Sequence, residues 1–219
     1  IDLTSGGSSL VPTGGDAAAL HRLVQRRRMV RSFAERPVSA QVLDRLLDAA
    51  RRGPSAGHAQ GTDLLVLQDE QARTRFWSLA LPEERRSGFA FPGLLRAPVL
   101  VVPLADEATY RARYAEPDKA RSGLAALGAD EPWPVPYWLT DTAMAVMLLL
   151  LAAEAEDLGA LFYAFPGEPG PVLDAFGVPR DRVPLGVVAL GHPDGEDPPG
   201  RSASRPRRAL DDVVHHDRW

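Results

Sequence analysis

The spacing of apolar residues divides the chain into helices and strands that interleave. The predicted helices cover residues 16–29, 39–52, 70–80 and 169–176. In the first two, apolar residues lie three and four positions apart, and Asp16 and Ser39 are natural N-caps. Short apolar runs predict strands at 63–67, 97–104, 160–165 and 184–191. This alternation, with helices in excess, predicts an α+β or α/β sandwich.

The longest apolar run, residues 143–153, belongs to a further predicted helix over 140–157. The run is about half of the ~20 residues that a membrane-spanning helix needs, and Glu154 and Glu156 follow it directly. We therefore interpret it as a core helix. Because it is apolar on nearly every side, we expect it at the centre of the molecule.

Residues 105–136 form a long excursion with room for one short helix. Prolines at 117, 132, 134 and 136 interrupt it. A loop of this length inside a compact domain usually has a functional role.

Composition restricts the class of protein. The 219 residues are 45% apolar and 25% charged, which is ordinary for a soluble globular domain. The formal net charge of −4 gives no overall positive field for nucleic acid or an anionic membrane, so we expect neither as a partner. The chain has no cysteine, which excludes disulfides and thiolate metal sites and fits a cytoplasmic protein.

The N-terminal 16 residues differ from the rest of the chain. They are rich in Gly, Ser and Thr and lack the basic start and apolar run of a signal peptide. We predict a flexible arm over residues 1–16 and a single domain over 17–219.

Two arginine-rich clusters are candidate anion sites. Residues 26–33 read RRRMVRSF and lie at the end of the first predicted helix, and residues 205–208 read RPRR. Arginine side chains bind phosphate oxygens through paired hydrogen bonds, although a solvated basic surface is the alternative for each cluster. Val213, Val214 and Trp219 follow the second cluster, so this tail is expected to pack on something, such as a second subunit.

Residues 53–61, GPSAGHAQG, are small or polar. Small side chains let a flat ligand lie close to the backbone, and Ser, His and Gln offer polar groups at its edge. A simple turn between a helix and a strand is the alternative interpretation. No metal site is predicted, because adjacent residues such as His215 and His216 on a strand point in opposite directions.

Five segments together resemble one family. They are RRRMVRSF, PVSAQVLDRLLDAARRGPSAGHAQG, DTAMAVMLLLLAAEAEDLGALFY, PLGVVALGHP and RPRRALDDVV, in this order across residues 18–219. The set is similar to the nitroreductase family of FMN enzymes. The resemblance implies an α+β fold, a three-layer α/β/α sandwich with a central, mostly antiparallel sheet. It also implies an intertwined homodimer with FMN at the subunit interface, touched by both chains.

The same resemblance assigns cofactor contacts. The phosphate and ribityl chain correspond to Arg27, Arg28, Met29, Arg31, Arg205 and Arg207. The flavin ring corresponds to Pro54, Ser55, Ala56, His58 and Gln60 on one side and to Ala164, Phe165, Pro166 and Gly167 on the other, where a backbone N–H reaches N5. Asp141 and Thr142 match a further flavin contact.

The chain departs from the family pattern at four places. Met29 replaces a common Ser and removes one hydroxyl, and His58 replaces Asn with a group whose charge depends on pH. Gly61-Thr62 replaces Pro-Trp. Pro166 has no N–H, so the donor to N5 must be Phe165 or Gly167. These departures leave FMN binding possible and put the usual substrates in question.

The resemblance implies ping-pong hydride transfer from NADH or NADPH through flavin N5 to an organic acceptor of the nitroaromatic, quinone or enone type. The flavin carries the chemistry, so no catalytic side chain is required. Trp133, Tyr137 and Trp138, in the segment 105–138, are candidates for the substrate pocket, with plain packing as the alternative. Two other functions stay open: a flavin-dependent dehydrogenase or oxidase of a biosynthetic intermediate that uses oxygen, and a non-catalytic flavin-binding protein.

Overall fold

The computed structural model describes residues 14–128, 131–197, 200 and 204–219. Of the predicted arm, residues 1–13 lie outside this part, and residues 14–16 form the first turn of a helix. The helices are α1 (Gly14–Arg26), α2 (Ala40–Ala50), α3 (Glu70–Ala80), α4 (Glu83–Arg86), α5 (Glu107–Tyr114), α6 (Tyr137–Ala155) and α7 (Gly170–Ala175). The strands are β1 (Thr62–Leu67), β2 (Val99–Asp106), β3 (Gly159–Tyr163), β4 (Arg182–Pro184) and β5 (Val187–Gly191).

Local capping explains where several helices begin. The Ser39 hydroxyl accepts a hydrogen bond from the Val42 N–H at 3.3 Å, as predicted for the start of α2. Asp69 caps α3, and Asp106 caps α5 by accepting from the Thr109 N–H at 3.1 Å. The first helix is shorter than predicted, because α1 ends at Arg26 and not at residue 29.

The sheet has the order β1-β2-β5-β3, with β4 also paired to β2. Every pairing between these strands is antiparallel. The run predicted as one strand at 184–191 forms two, because Gly186 adopts a φ of 146° between them. A Cβ there would lie 2.6 Å from the Tyr163 carbonyl oxygen, so only glycine fits.

The side chains of strand β2 point alternately into two hydrophobic cores, one on each face of the sheet. Val99 and Val101 pack with α2 and α6 on one face of the sheet. Leu100 and Val102 pack with α3 and α7 on the other. The sheet is therefore covered on both faces, and the predicted three-layer α/β/α sandwich is confirmed.

The expectation that α6 lies at the centre of the molecule holds for only one face of the helix in the single chain. One side of the helix is buried, but Met144 is 46% exposed and Met147 is 40% exposed. By length and composition α6 also passes as a membrane span, and 44% of that window is buried inside the chain. One helix of this kind is weak evidence for a span. The neighbouring helix α1 has no buried residue and exposes Leu20 and Val24. Together α1 and α6 leave an apolar surface uncovered.

Candidate functional site

The first arginine cluster lies along the edge strand β3. Met29 forms a parallel bridge with Ala160, and the Val30 N–H donates to the Ala160 carbonyl at 3.0 Å. Since α1 ends at Arg26, the next residues run extended past β3. They do not continue the helix as the sequence suggested.

The arginines in this cluster differ in how they are paired. Arg28 Nη1 donates to Asp197 Oδ2 at 3.0 Å, and the other Asp197 oxygen accepts from the Arg31 backbone N–H at 2.6 Å. In contrast, Nη1 of Arg27 is buried and has no hydrogen-bond partner among the described residues. A buried guanidinium nitrogen without an acceptor is costly, so Arg27 is the arginine best suited to an added anion.

Residues 164–167 follow β3 directly and therefore lie at the same edge of the sheet. Arg85 donates to the Pro166 carbonyl at 3.0 Å, and the Phe165 ring packs against Phe76 with centroids 5.7 Å apart. No described residue accepts a hydrogen bond from the N–H of Phe165 or Gly167. Ala164 lies four positions after Ala160, about 13 Å along an extended chain. The arginines and this segment thus lie near the two ends of one strand.

The third candidate segment, residues 53–61, precedes β1 at the opposite edge. Its backbone is left-handed at Gly57, His58 and Gln60, with φ values of 63°, 54° and 59°. For residues other than glycine this conformation costs about 1–3 kcal/mol each and persists only where surrounding contacts impose it. A cavity of about 150 Å³ opens beside the segment and is lined by Ala50, Arg51, Gly53, Pro54, Ser55, His58, Gln60, Thr62, Asp141 and Ala145.

A hydrogen-bond network holds this segment against α5 and α6. Asp141 Oδ2 accepts from the Ala56 N–H at 2.7 Å and from the Tyr110 hydroxyl at 2.7 Å. The Tyr110 hydroxyl lies 3.4 Å from Ser55 Oγ, which accepts from the Gln60 N–H at 2.7 Å. Tyr110 and Asp141 are both buried. Burial raises the pKa of Tyr110 above its ordinary value, so its hydroxyl stays protonated and donates.

Of the two adjacent α6 residues in the prediction, only Asp141 lines the cavity. Thr142 is fully buried, and its hydroxyl lies 2.9 Å from that of Thr62. Thr142 therefore ties α6 to β1.

The predicted parts of the site do not meet within one chain. Residues 53–61 lie at the β1 edge and the arginines at the β3 edge, three strand spacings or about 14 Å away. They also lie at opposite ends of α6, because Asp141 contacts the first segment while Glu154 pairs with Arg26. Those two positions are 13 residues apart along the helix, about 20 Å.

The C-terminal tail lies away from its own chain. Residues 204–219 are all exposed, and Arg205 and Arg207 make no hydrogen bond or ion pair with another described residue. Leu210 is 71% exposed and Trp219 is 99% exposed. The tail therefore presents large apolar side chains to solvent in the single chain.

The aromatic residues of α5 and of the segment 133–138 pack together. Trp133 and Trp138 are buried with ring centroids 5.5 Å apart, and Tyr137 stacks on Tyr114 at 5.9 Å. The Arg111 guanidinium lies 5.6 Å from the centre of the Trp133 ring. This arrangement favours packing over substrate contact for the two tryptophans, while Tyr137 is partly exposed.

Comparison with known proteins gives the family. The sequence model of the nitroreductase family matches residues 24–192, well over half of the chain. The chain belongs to the nitroreductase family. A 5,6-dimethylbenzimidazole synthase from Rhodospirillum rubrum is 30% identical, over 82% of this chain and 84% of that protein. A protein named FMN reductase (NAD(P)H) from Bacillus subtilis is 26% identical, over 88% of this chain and 71% of that protein.

Solved structures support the same fold. A nitroreductase-like protein from Desulfovibrio desulfuricans, crystallised in complex with FMN, superposes with a TM-score of 0.64. It is 18% identical to this chain and the match covers 91% of this chain and 97% of that one. At this identity the likeness establishes the nitroreductase-like fold.

In this nitroreductase-family member, sequence reasoning missed Tyr110 as a site residue. One signal was present: Asp141 is an acidic residue near the start of an apolar helix, and a buried carboxylate needs donors. Which donors meet it depends on packing between segments far apart in sequence.

Gly61 closes the end of the segment, and its replacement should disrupt it. A Cβ at this position would lie 2.6 Å from the Tyr110 ring and 2.9 Å from the Asp106 carbonyl oxygen. We expect Gly61→Ala to reduce the free energy of unfolding by about 1–3 kcal/mol, because the buried ring has to shift. Urea denaturation measures this. Gly88→Ala is the matched control, since a Cβ there meets nothing within 4 Å. Equal stability of the two variants would contradict the close approach.

Proposed function

We propose that this protein is an FMN-dependent oxidoreductase that takes hydride from NADH or NADPH and passes it to an organic acceptor, and that it works as a homodimer. The observation that carries the proposal is the buried Nη1 of Arg27, which has no partner among the described residues. It lies on the strand edge that also presents residues 164–167. The name of the Bacillus subtilis relative, FMN reductase (NAD(P)H), supports flavin chemistry.

The residues at the β3 edge fit a phosphate. Arg27 offers an unused buried donor, and Arg31 lies four residues further on with its guanidinium on the Met29 carbonyl at 3.1 Å. Arg205 and Arg207 are free to add two more cationic groups. A dianionic phosphate favours several charge-assisted donors, which gives a local basic cluster a role in a chain of net charge −4.

The flavin ring of the cofactor would lie between residues 53–61 and residues 164–167. When bound, FMN supplies the hydride-transferring atom N5. The chain supplies an N–H from Phe165 or Gly167 to orient that atom, because Pro166 has none. Pro54, Ser55 and Ala56 offer backbone and small side chains against the ring, and His58 and Gln60 offer polar groups at the cavity.

Two chains are needed to assemble these parts. The segment 53–61 is too far from the arginines of its own chain to share one cofactor with them, so the arginines of a second chain must come to it. The tail and the uncovered surface of α1 and α6 expose apolar side chains that a second chain would bury, among them Leu20, Met144, Met147 and Leu210. Both observations favour an intertwined homodimer with FMN at the interface.

The proposal also covers the electron donor, the acceptor and the cellular location. NADH or NADPH is the electron donor, and the acceptor is a small nitroaromatic, quinone or enone compound. The absence of cysteine fits a cytoplasmic protein. The net charge of −4 favours neither nucleic acid nor a membrane as a partner.

A visible absorption spectrum of the purified protein tests the proposal. We expect flavin bands that bleach within seconds after anaerobic addition of NADH or NADPH, and the faster donor identifies the physiological one. Bands that persist with both donors would contradict the reductase and favour a flavin-binding or oxidase role. A colourless protein that takes up no added FMN would refute the proposal altogether.

A second candidate function is a flavin-dependent oxidase of a biosynthetic intermediate. The 30% identity to a protein named as a synthase, over most of both chains, favours it. Oxygen uptake measured without nicotinamide, in the presence of candidate intermediates, separates the two functions. A reductase is expected to consume oxygen only when NADH or NADPH is present.

A further inference from the structure

We infer that Tyr110 and Asp141 are positioning residues that hold residues 55–60 in the shape needed by the flavin ring, and that α5 of the excursion therefore belongs to the cofactor site. This inference rests on the proposed function for the identity of the ligand. It assigns a role to the excursion that packing of its aromatic residues does not explain.

The two residues join three parts of the chain that are remote in sequence. Asp141 comes from α6 and Tyr110 from α5, and both reach the segment that precedes β1. One carboxylate oxygen receives both the Ala56 N–H and the Tyr110 hydroxyl, each at 2.7 Å. Because these donors share one buried acceptor, displacing the segment would leave a charged oxygen short of a donor.

The segment needs this support because its backbone is strained. His58 and Gln60 both have positive φ values, and Gly57 between Ala56 and His58 does too. Ser55 Oγ stabilises the turn by accepting the Gln60 N–H at 2.7 Å, and that hydroxyl lies beside Tyr110. The two strained non-glycine residues, His58 and Gln60, both line the cavity. Any loss of support would therefore change the surface that meets the ring.

A second contact from α5 reinforces the first. Arg113 Nε donates to the Gly57 carbonyl at 2.7 Å, and Asp118 fixes the same guanidinium at 2.7 Å. At the far end of the segment, the Tyr110 ring packs where Gly61 has no side chain. Helix α5 thus contacts the segment at its start, middle and end.

The protonation state of Tyr110 sets the direction of its hydrogen bond to Asp141. The raised pKa of Tyr110 keeps its hydroxyl neutral at ordinary pH, so it donates to the Asp141 carboxylate. Removing the hydroxyl alone therefore leaves Asp141 with the Ala56 N–H and a weaker contact of 3.3 Å from Thr140.

The experiment uses Tyr110→Phe, which removes the hydroxyl and keeps the ring. We expect the dissociation constant for FMN, measured by fluorescence quenching, to rise about tenfold, the loss of roughly one charge-assisted hydrogen bond. We also expect faster amide hydrogen exchange across residues 55–61 in the cofactor-free protein, and altered visible circular dichroism of bound FMN. Tyr114→Phe is the matched control, because Tyr114 lies on the same helix and its hydroxyl has no hydrogen bond within the described residues.

A double-mutant cycle with Ser55→Ala gives an independent readout. Tyr110→Phe and Ser55→Ala should be non-additive in both exchange and affinity, because the two hydroxyl groups belong to one network. Additive effects would overturn the shared network.

A Tyr110→Phe protein with a lower Tm but unchanged FMN affinity, exchange and dichroism would overturn the inference, because the residue would then serve stability alone. If the wild-type protein takes up no FMN, the proposed function fails. Amide hydrogen exchange in the cofactor-free protein would still test whether Tyr110 and Asp141 hold residues 55–60 in place.

Discussion

Arg27→Ala is expected to weaken FMN binding about 10- to 100-fold, the largest effect of any single arginine in the first cluster. The reason is the buried Nη1, which has no partner among the described residues and which a phosphate oxygen would satisfy. A hydrogen bond to a charged group contributes about 1.5–3 kcal/mol, and ~1.4 kcal/mol corresponds to a tenfold change in affinity. Titration of FMN fluorescence against the cofactor-free protein measures the dissociation constant.

Arg28→Ala is the matched control for this prediction. Its guanidinium already pairs with Asp197 and is 61% exposed, and Asp197 keeps a second donor in the Arg31 N–H. Its removal should therefore change the FMN affinity by less than about fivefold, or about 1 kcal/mol. Raising the salt concentration should reduce wild-type affinity more than that of Arg27→Ala, because the variant has lost one phosphate contact. Equal losses in both variants would contradict the distinction between the two arginines.

Aspartate at three apolar positions of the tail is expected to convert a dimer into monomers. The variant Leu210→Asp/Val213→Asp/Val214→Asp replaces side chains that are 71%, 49% and 39% exposed on one chain. Burial of each such side chain is worth about 1.5–3 kcal/mol, so Leu210→Asp alone should raise the dimer dissociation constant at least about tenfold. Sedimentation velocity over a range of protein concentrations measures the shift.

Loss of the dimer should also remove FMN, because the arginines and the segment 53–61 would no longer come together. Val183→Asp is the control: this β4 side chain is 40% exposed and lies outside the tail, α1 and α6. It should leave both dimer and flavin unchanged. A wild-type monomer that binds FMN tightly would show that the two-chain site is wrong, whatever the tail variants do.

Much of the fold was available from local sequence patterns. The Ser39 cap, the apolar face of α2 and the apolar runs at 63–67 and 97–104 each predicted an element that the structure contains. These signals are local, because a cap or a periodicity depends on residues within one or two turns. Errors came where local rules were insufficient: Gly186 divides one predicted strand into two, and α1 stops at Arg26.

The site was only partly predictable for the same reason. The order of the motifs identified the family, and composition together with the arginine cluster pointed to an anion. Nothing in the sequence distinguished Arg27 from Arg28, because the difference is made by Asp197, which lies about 170 residues further along the chain. The predicted pocket tryptophans, Trp133 and Trp138, are covered by each other and by neighbouring rings.

The sequence by itself determined which segments become helices and strands, that they form a sandwich, and which residue types are available for a phosphate and a flat ring. Tertiary structure alone decided that Tyr110 and Asp141 meet at Ala56, that α6 keeps one apolar side uncovered, and that the arginines lie at the far edge of the sheet from residues 53–61. The physical reason is the separation along the chain over which each kind of interaction acts. Backbone preferences and caps act between neighbours in the chain, whereas burial, shared acceptors and the distance between sheet edges depend on how remote segments pack.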